Sequence, residues 1–325
     1  MKRVTVLLPA FNEAASMPLL RSKMERLAEE NHSVEWEFLI VDDGSSDTTA
    51  ELAKQYHDED PRFSYVSLSR NFGKEAAMLA GMDYATGHAV IIMDSDMQHP
   101  TDVVPQMLDL WQQGWQDVYA VRASSHEGWL KRKTSQWYYR LLQNVTRVPI
   151  QANTGDFRLL DRVCVNALRR MRETQRNTKG MYSWIGYRKI GITYNQLSRS
   201  EGRSKWSWWS LLNLAVEGVT SYTTAPLRLA SLMGVVCSIV GFVYLIYILT
   251  NTLLWGDPVA GYPTIMVTVL FMGGVQLLCL GIIGEYLSRV FSESKHRPPY
   301  IANVHNGRQI VADVDVTSHE VDAGV

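Results

Sequence analysis

Cysteine and net charge are both scarce in this chain, which has 3 cysteines in 325 residues and a formal charge of −1. Cys164 stands in a polar region and Cys237 and Cys279 in apolar runs, so neither a metal spacing nor a disulfide framework follows. Such thiols are expected to be packing residues in a reducing compartment. The balanced charge gives no sign of general nucleic-acid binding. No signal peptide is expected, because Met1-Lys2-Arg3 leads straight into VTVLL. No internal repeat is found. Charge is missing altogether from Leu229 to Gly256 and from Pro258 to Gly284. Each stretch exceeds the ~20 apolar residues a helix needs to cross a bilayer.

Those two stretches, separated by a short linker around Trp255, Asp257 and Tyr262, predict a helical hairpin in the membrane; the alternative is two buried helices of a soluble protein. Arg203, Lys205 and Arg228 flank it on one side and Arg289, Lys295 and Arg297 on the other, while the linker carries only Asp257. By the positive-inside rule both ends, and the N-terminal part, are cytoplasmic. Gly273-Gly274 and Gly281-x-x-Gly284 would allow close helix contact, within the hairpin or between subunits, so a homo-oligomer is possible.

Up to about residue 120, strand and helix patterns alternate. Strands are expected at Val4–Leu8, Glu37–Val41, Phe63–Leu68, Ala89–Met93 and Val118–Val121. Helices are expected from Asn12-Glu13 to about Asn31, from near Thr48, and after Lys74. This order predicts βαβ units and a parallel sheet. Right-handed crossovers then bring the turns Pro9–Glu13, Asp42–Asp47, Arg70–Lys74 and Asp94–Gln98 to one sheet edge, where open α/β sheets bind ligands. None of these turns resembles G-x-G-x-x-G or G-x-x-x-x-G-K-[ST]. Acidic turns in place of glycine loops suggest a nucleoside diphosphate held through a metal. The apolar run AVIIM ends in Asp94 and Asp96, which can both turn toward a hard cation such as Mg²⁺; otherwise they are turn residues and an N-cap. Asp43 could accept hydrogen bonds from base N–H or sugar hydroxyls, or Asp42-Asp43 could simply cap the next helix.

Beyond Val121 the pattern loosens. Arg122 and Lys131–Lys133 are interleaved with Trp129, Trp137, Tyr138 and Tyr139, which with a hairpin downstream reads as a membrane-interface segment rather than a nucleic-acid surface. GDFRL (155–159) precedes an expected helix whose Arg169, Arg170 and Arg172 are read as a solvated or headgroup-facing side. RSEGRSKWSWW (199–209) leads into an amphipathic interfacial helix. The tail from Arg297 is polar and mostly aperiodic, and is expected to be poorly ordered at its end.

Taken together and in this order, PAFNE, VDDGSSD, SRNFGKEAAMLAG, MDSDMQHP, GDFRL and the G-x-S-K-W segment resemble glycosyltransferase family 2. More narrowly they resemble the polyprenyl-phosphate glycosyltransferases: dolichyl-phosphate mannose synthases and, closer, bacterial bactoprenol glucosyl transferases. The resemblance implies an α/β fold of the GT-A type, a Rossmann-like nucleotide-sugar-binding domain, with a C-terminal two-helix transmembrane hairpin. The expected division is a cytoplasmic catalytic domain over 1–205, an amphipathic interfacial region over 206–227, two membrane helices within 228–290 (about 229–255 and 263–287) and a tail over 291–325.

The resemblance also implies roles. Pro9, Phe11, Glu13 and Asp43 match nucleoside-holding positions, and Asp42, Lys74 and Ser95 join them as candidate nucleotide contacts. Asp94, Asp96 and Gln98 match a D-x-D-x-Q site for Mg²⁺ or Mn²⁺ and diphosphate. Arg122, Arg132 and Ser135 fall near phosphate-holding positions, and Arg199 and Lys205 belong to a basic segment that gathers over the site. Asp156 matches an acidic position of the bactoprenol branch and could be a base, an acceptor-orienting group or one half of a salt bridge to an arginine. Ser95, Met97 and His99 depart from the usual residues. The implied reaction is inverting transfer of a sugar, glucose from UDP-glucose first, to undecaprenyl phosphate at the bacterial inner membrane. A 4-amino-4-deoxy-arabinose derivative, an N-acetylhexosamine or mannose would fit the same motifs. A membrane-anchored nucleotide-sugar-binding or assembly protein is the non-enzymatic alternative.

Overall fold

The computed structural model describes residues 1–95, 99–122, 154–174, 176–194, 225–255 and 261–310. The chain divides into two compact units, one holding the described residues up to 194 and from 298 onward, the other those from 225 to 297.

In the first unit the apolar runs form strands β1 (Arg3–Ala10), β2 (Glu35–Asp42), β3 (Phe63–Leu68) and β4 (Ala89–Ile92), paired in parallel. Helices α1 (Met17–Glu30), α2 (Thr49–Glu59) and α3 (Lys74–Tyr84) connect them. All four residues of β4 are buried, as a strand covered on both faces requires. Alternate side chains serve two cores. Val6, Leu8, Ile40 and Ile91 pack with α1, α2 and α4 (Val104–Gln112). Leu7, Leu39, Val41 and Ile92 pack with α3, α5 (Arg162–Arg170) and α6 (Thr178–Trp184). Helix α1 starts four residues after the expected Glu13, since Asn12 adopts a left-handed backbone (φ 54°) and the chain turns once more before coiling.

The sheet is mixed rather than wholly parallel. Its order is β7-β5-β6-β4-β1-β2-β3-β8-β9. Strand β6 (Thr154–Asp161), which contains the GDFRL residues, inserts antiparallel to both β4 and β5 (Asp117–Arg122), and β7 (Lys189–Tyr194) runs parallel to β5. An arginine in the middle of β6 hides its strand pattern. Arg158 is 1% exposed, and its charge is met by Asp117 at 3.1 Å and by the Tyr182 ring at 3.5 Å from the guanidinium carbon. Within the polar tail, β8 (Ala302–His305) pairs antiparallel with β3 and β9 (Arg308–Gln309) with β8, strands that its sequence does not announce; the end of the tail lies outside the described residues. Arg170 and Arg172 are exposed, as a solvated side would be, while Arg169 and Arg172 also clamp the buried Asp83 carboxylate at 3.0 and 2.6 Å.

The second unit is a pair of long helices, α7 (Ala225–Trp255) and α8 (Tyr262–Ser294). They meet where Cys279 Sγ approaches the carbonyl of Ala230 at 3.5 Å. Phe271–Ser294 is long and apolar enough to cross a membrane, and side chains such as Leu277, Leu280 and Leu287 are exposed, as lipid-facing positions would be. Gly273, Gly274, Gly281 and Gly284 each have open space where a Cβ would stand, so they do not mediate the hairpin contact.

One turn is tight enough to test. Gly44 has φ +66°, and a Cβ there would lie 2.3 Å from the backbone carbonyl carbon of Arg70. Gly44→Ala should lower stability by about 1–3 kcal/mol in denaturant unfolding, and an unchanged midpoint would contradict this close approach.

Candidate active site

The C-terminal ends of β1, β2 and β4 and the start of α3 surround a cavity of about 340 Å³. Its walls are Pro9, Ala10, Phe11 and Glu13 after β1, Asp43 after β2, Asn71, Gly73, Lys74 and Ala77 at α3, and Asp94 with Ser95 after β4. The first wall is braced by the second. Asn12 N–H donates to Ser45 Oγ (2.9 Å), Ser46 N–H to Asn12 Oδ1 (2.8 Å), and Ala14 N–H to Asp47 Oδ2 (3.1 Å). Phe11 is left 44% exposed at the cavity edge, a flat apolar surface available to a base.

Asp43 accepts from Phe72 N–H at 2.8 Å and Gly73 N–H at 2.9 Å, so it shapes the α3 approach as well as lining the cavity. Burial raises its pKa against those two donors. Asp42 does not line the cavity: it is buried and accepts from Ser45 N–H at 3.0 Å, a turn residue whose pKa burial also raises. Ser95 lines the cavity, and its hydroxyl donates to the Pro9 carbonyl (3.0 Å), tying the end of β4 to β1. His99 is buried, accepts from Asp94 N–H at Nδ1 (3.2 Å) and stacks on Phe157 of β6 with ring centres 4.7 Å apart. A histidine that accepts there carries its proton on Nε2.

Lys74 stands at the centre. Its Nζ lies 2.6 Å from Asp94 Oδ1 and 2.7 Å from Asp156 Oδ2. Burial alone would favour a neutral amine, but the two carboxylates override it and raise the pKa above the ordinary lysine value. Burial likewise favours a protonated Asp156, yet Lys74, with Lys179 and Arg158, holds that carboxyl below the usual range. The salt bridge of Asp156 is therefore to a lysine, not to an arginine. Its second oxygen, Oδ1, is buried with no hydrogen-bond partner among the described residues. Arg122 lies exposed at the end of β5, outside the cavity lining. Asp96, Gln98, Arg132, Ser135, Arg199 and Lys205 lie outside the described residues.

No group of three His, Cys, Asp or Glu side chains suited to a metal occurs among the described residues. Asp94 does suit a hard cation: it is a carboxylate on the cavity wall, with oxygen donors of the kind Mg²⁺ and Mn²⁺ take.

Glu75, beside Lys74 in the same motif but outside the cavity lining, supports the site from behind and is passed over in the sequence. It accepts from Thr178 N–H at 3.1 Å and from the Thr178 hydroxyl, joining the first turn of α3 to α6. Burial first, and then the charge of Asp156, push its pKa up to about 7; Thr178, Arg176 and Lys74 oppose the rise. A carboxyl that binds its proton more tightly when folded makes stability fall as pH rises from its unfolded value near 4.5 toward 7. Glu75→Gln keeps an acceptor for Thr178 and removes the titration. Thermal unfolding of the variant should show a flatter pH dependence across that window, and an unchanged slope would contradict the assignment.

Comparison with known sequences places the chain in a family. The glycosyl transferase family 2 profile matches residues 5–172, and the GtrB C-terminal hairpin profile matches residues 225–290. Over 300 residues the chain is 40% identical to a bactoprenol glucosyl transferase of Shigella phage SfV, spanning 92% of this chain and 97% of the relative. A prophage bactoprenol glucosyl transferase homolog of Escherichia coli is 39% identical over 300 residues, spanning 92% and 98%. A Bacillus subtilis protein named as a putative glycosyltransferase is 38% identical over 306 residues, spanning 93% of each chain. The chain belongs to glycosyl transferase family 2: it is a glycosyltransferase with a GT-A fold and a membrane-associated C-terminal hairpin.

Proposed function

We propose that this protein transfers glucose from UDP-glucose to undecaprenyl phosphate, inverting the anomeric centre, on the cytoplasmic face of the bacterial inner membrane. The observation that carries the reading is the acidic cavity with Lys74 between Asp94 and Asp156, in a chain that continues into a GtrB-type hairpin. The relatives named bactoprenol glucosyl transferase support both acceptor and sugar.

The nucleoside lies against Pro9, Phe11, Glu13 and Asp43, and the diphosphate faces Lys74 and Ser95. Asp94, with Asp96 and Gln98, would hold Mg²⁺ or Mn²⁺, whose charge offsets that developing on the leaving diphosphate. Lys74 supplies fixed positive charge beside the same group. A lipid phosphate is already ionised at neutral pH, its second pKa being near 6, so it needs positioning more than deprotonation. Asp156, ionised and paired, suits that task better than proton abstraction. Arg122, Arg132, Ser135, Arg199 and Lys205 are assigned to the two anions that must meet. Both hairpin helices cross the bilayer, with basic flanks on the cytoplasmic side. The division that goes with this reading is a catalytic part over 1–205, an interfacial part over 206–227, membrane helices over 228–290 and a tail over 291–325 whose residues from 298 pack with the catalytic part.

Transfer of radiolabelled sugar to undecaprenyl phosphate tests this directly, with UDP-glucose, UDP-N-acetylhexosamine and GDP-mannose as donors, with and without Mg²⁺ or Mn²⁺. Glucose should be preferred, metal should be required, and Asp96→Asn should remove nearly all turnover. Bound nucleotide with no metal-dependent transfer would favour a binding protein instead.

A further inference from the structure

The polar tail rejoins the sheet beside the segment that walls the cavity. Pro298 and Pro299 stiffen the chain as it leaves the second helix, and Tyr300 follows. The Tyr300 hydroxyl donates to Asp83 Oδ2 at 2.6 Å, on the last turn of α3, and the Tyr84 ring lies 4.8 Å from that of His305. One residue on, the Ile301 carbonyl accepts from Ser69 N–H at 2.9 Å, and Ala302 is in register with Leu68. The tail therefore holds both ends of one stretch: its start at Ser69 and its end at Asp83 and Tyr84. Between them lie the N–H groups of Phe72 and Gly73 that fix Asp43, and Lys74, which fixes Asp94 and Asp156.

We propose that residues 298–305 are a positioning strap for the donor pocket, holding the 69–74 turn and α3 at the spacing a nucleoside diphosphate needs. The proposal rests on the nucleotide reading of the cavity. The Ser69 bond continues the β3–β8 ladder, so what distinguishes this segment from one that merely covers a sheet edge is the Tyr300 bond to α3. Farther from the cavity along β3 the tail makes a second attachment, where Tyr65 N–H donates to Asn306 Oδ1 at 2.8 Å and Asn306 N–H to the Tyr65 carbonyl at 3.1 Å. That contact serves as an internal control.

The experiment compares Tyr300→Phe, Tyr300→Ala and Asn306→Ala in the full chain by two readouts. The first is sugar-transfer kinetics with UDP-glucose. The second is hydrogen–deuterium exchange of the 69–73 amides without ligand. The strap predicts that Tyr300→Phe raises the donor KM about five- to tenfold and Tyr300→Ala further, with kcat within about twofold. Exchange at 69–73 should quicken in the same order. Asn306→Ala should lower the melting temperature yet leave KM and 69–73 exchange unchanged. Unchanged KM and exchange in the Tyr300 variants, or equal shifts in all three, would overturn the proposal. If the wild-type chain transfers nothing from UDP-glucose, the reading of the cavity fails, and the exchange comparison still decides whether the tail holds the turn.

Discussion

One ammonium group organises the centre of this molecule. Asp94 comes from the end of β4 and Asp156 from β6, a strand more than fifty positions later in sequence. Two carboxylates brought this close repel each other, and burial makes the repulsion worse. Lys74, at 2.6 and 2.7 Å, turns that repulsion into a cross-link between two strands and the first turn of α3. The walls that depend on it include Gly73, whose N–H fixes Asp43, and Ser95, whose hydroxyl fixes the end of β1. Beneath it the same device recurs, with Arg158 buried between Asp117 and Tyr182. The site is thus held by charges paired across strands; the cost of an unpaired buried charge applies to Asp156 and to the Arg158–Asp117 pair, while Lys74 itself reaches the solvent.

Such a site suits a reaction between two anions. A fixed cation beside a cavity with an acidic wall can accept a diphosphate together with a divalent ion, and needs no glycine loop to do it. The hairpin adds the second requirement, membrane association, without which a lipid acceptor could not be reached. The tail that follows it then packs against β3, next to the turn that fixes Asp43.

Much of this was legible in the residues. The β-branched runs of β1, β2 and β4, ending in acidic turns, located the sheet edge and most of the cavity lining, because strand burial and βαβ handedness leave few alternatives. Strand β6 was not legible as a strand. Phe157, Leu159 and Leu160 are apolar, but Asp156 and Arg158 break the pattern, and only the distant partners Lys74 and Asp117 make them acceptable inside a sheet. Asp42 and Asp43 look alike in sequence, yet one is a turn acceptor and the other faces the cavity, a difference set by side-chain direction rather than composition. The tail strands escaped notice because both are short: β8 is mostly half-buried and stabilised by pairing with β3, and β9 is exposed and pairs only with β8. Glu75 was hidden by its neighbour: its partner Thr178 lies in a helix whose approach no local pattern announces.

The most direct test of this account is the turnover of Lys74→Met beside Lys74→Arg, read with nucleotide binding on the same preparations. If Lys74 both neutralises the two carboxylates and faces the diphosphate, methionine should lower kcat by about 10²-fold or more, and arginine should recover part of that loss. A methionine variant that turns over at the wild-type rate, with nucleotide binding unchanged, would contradict it.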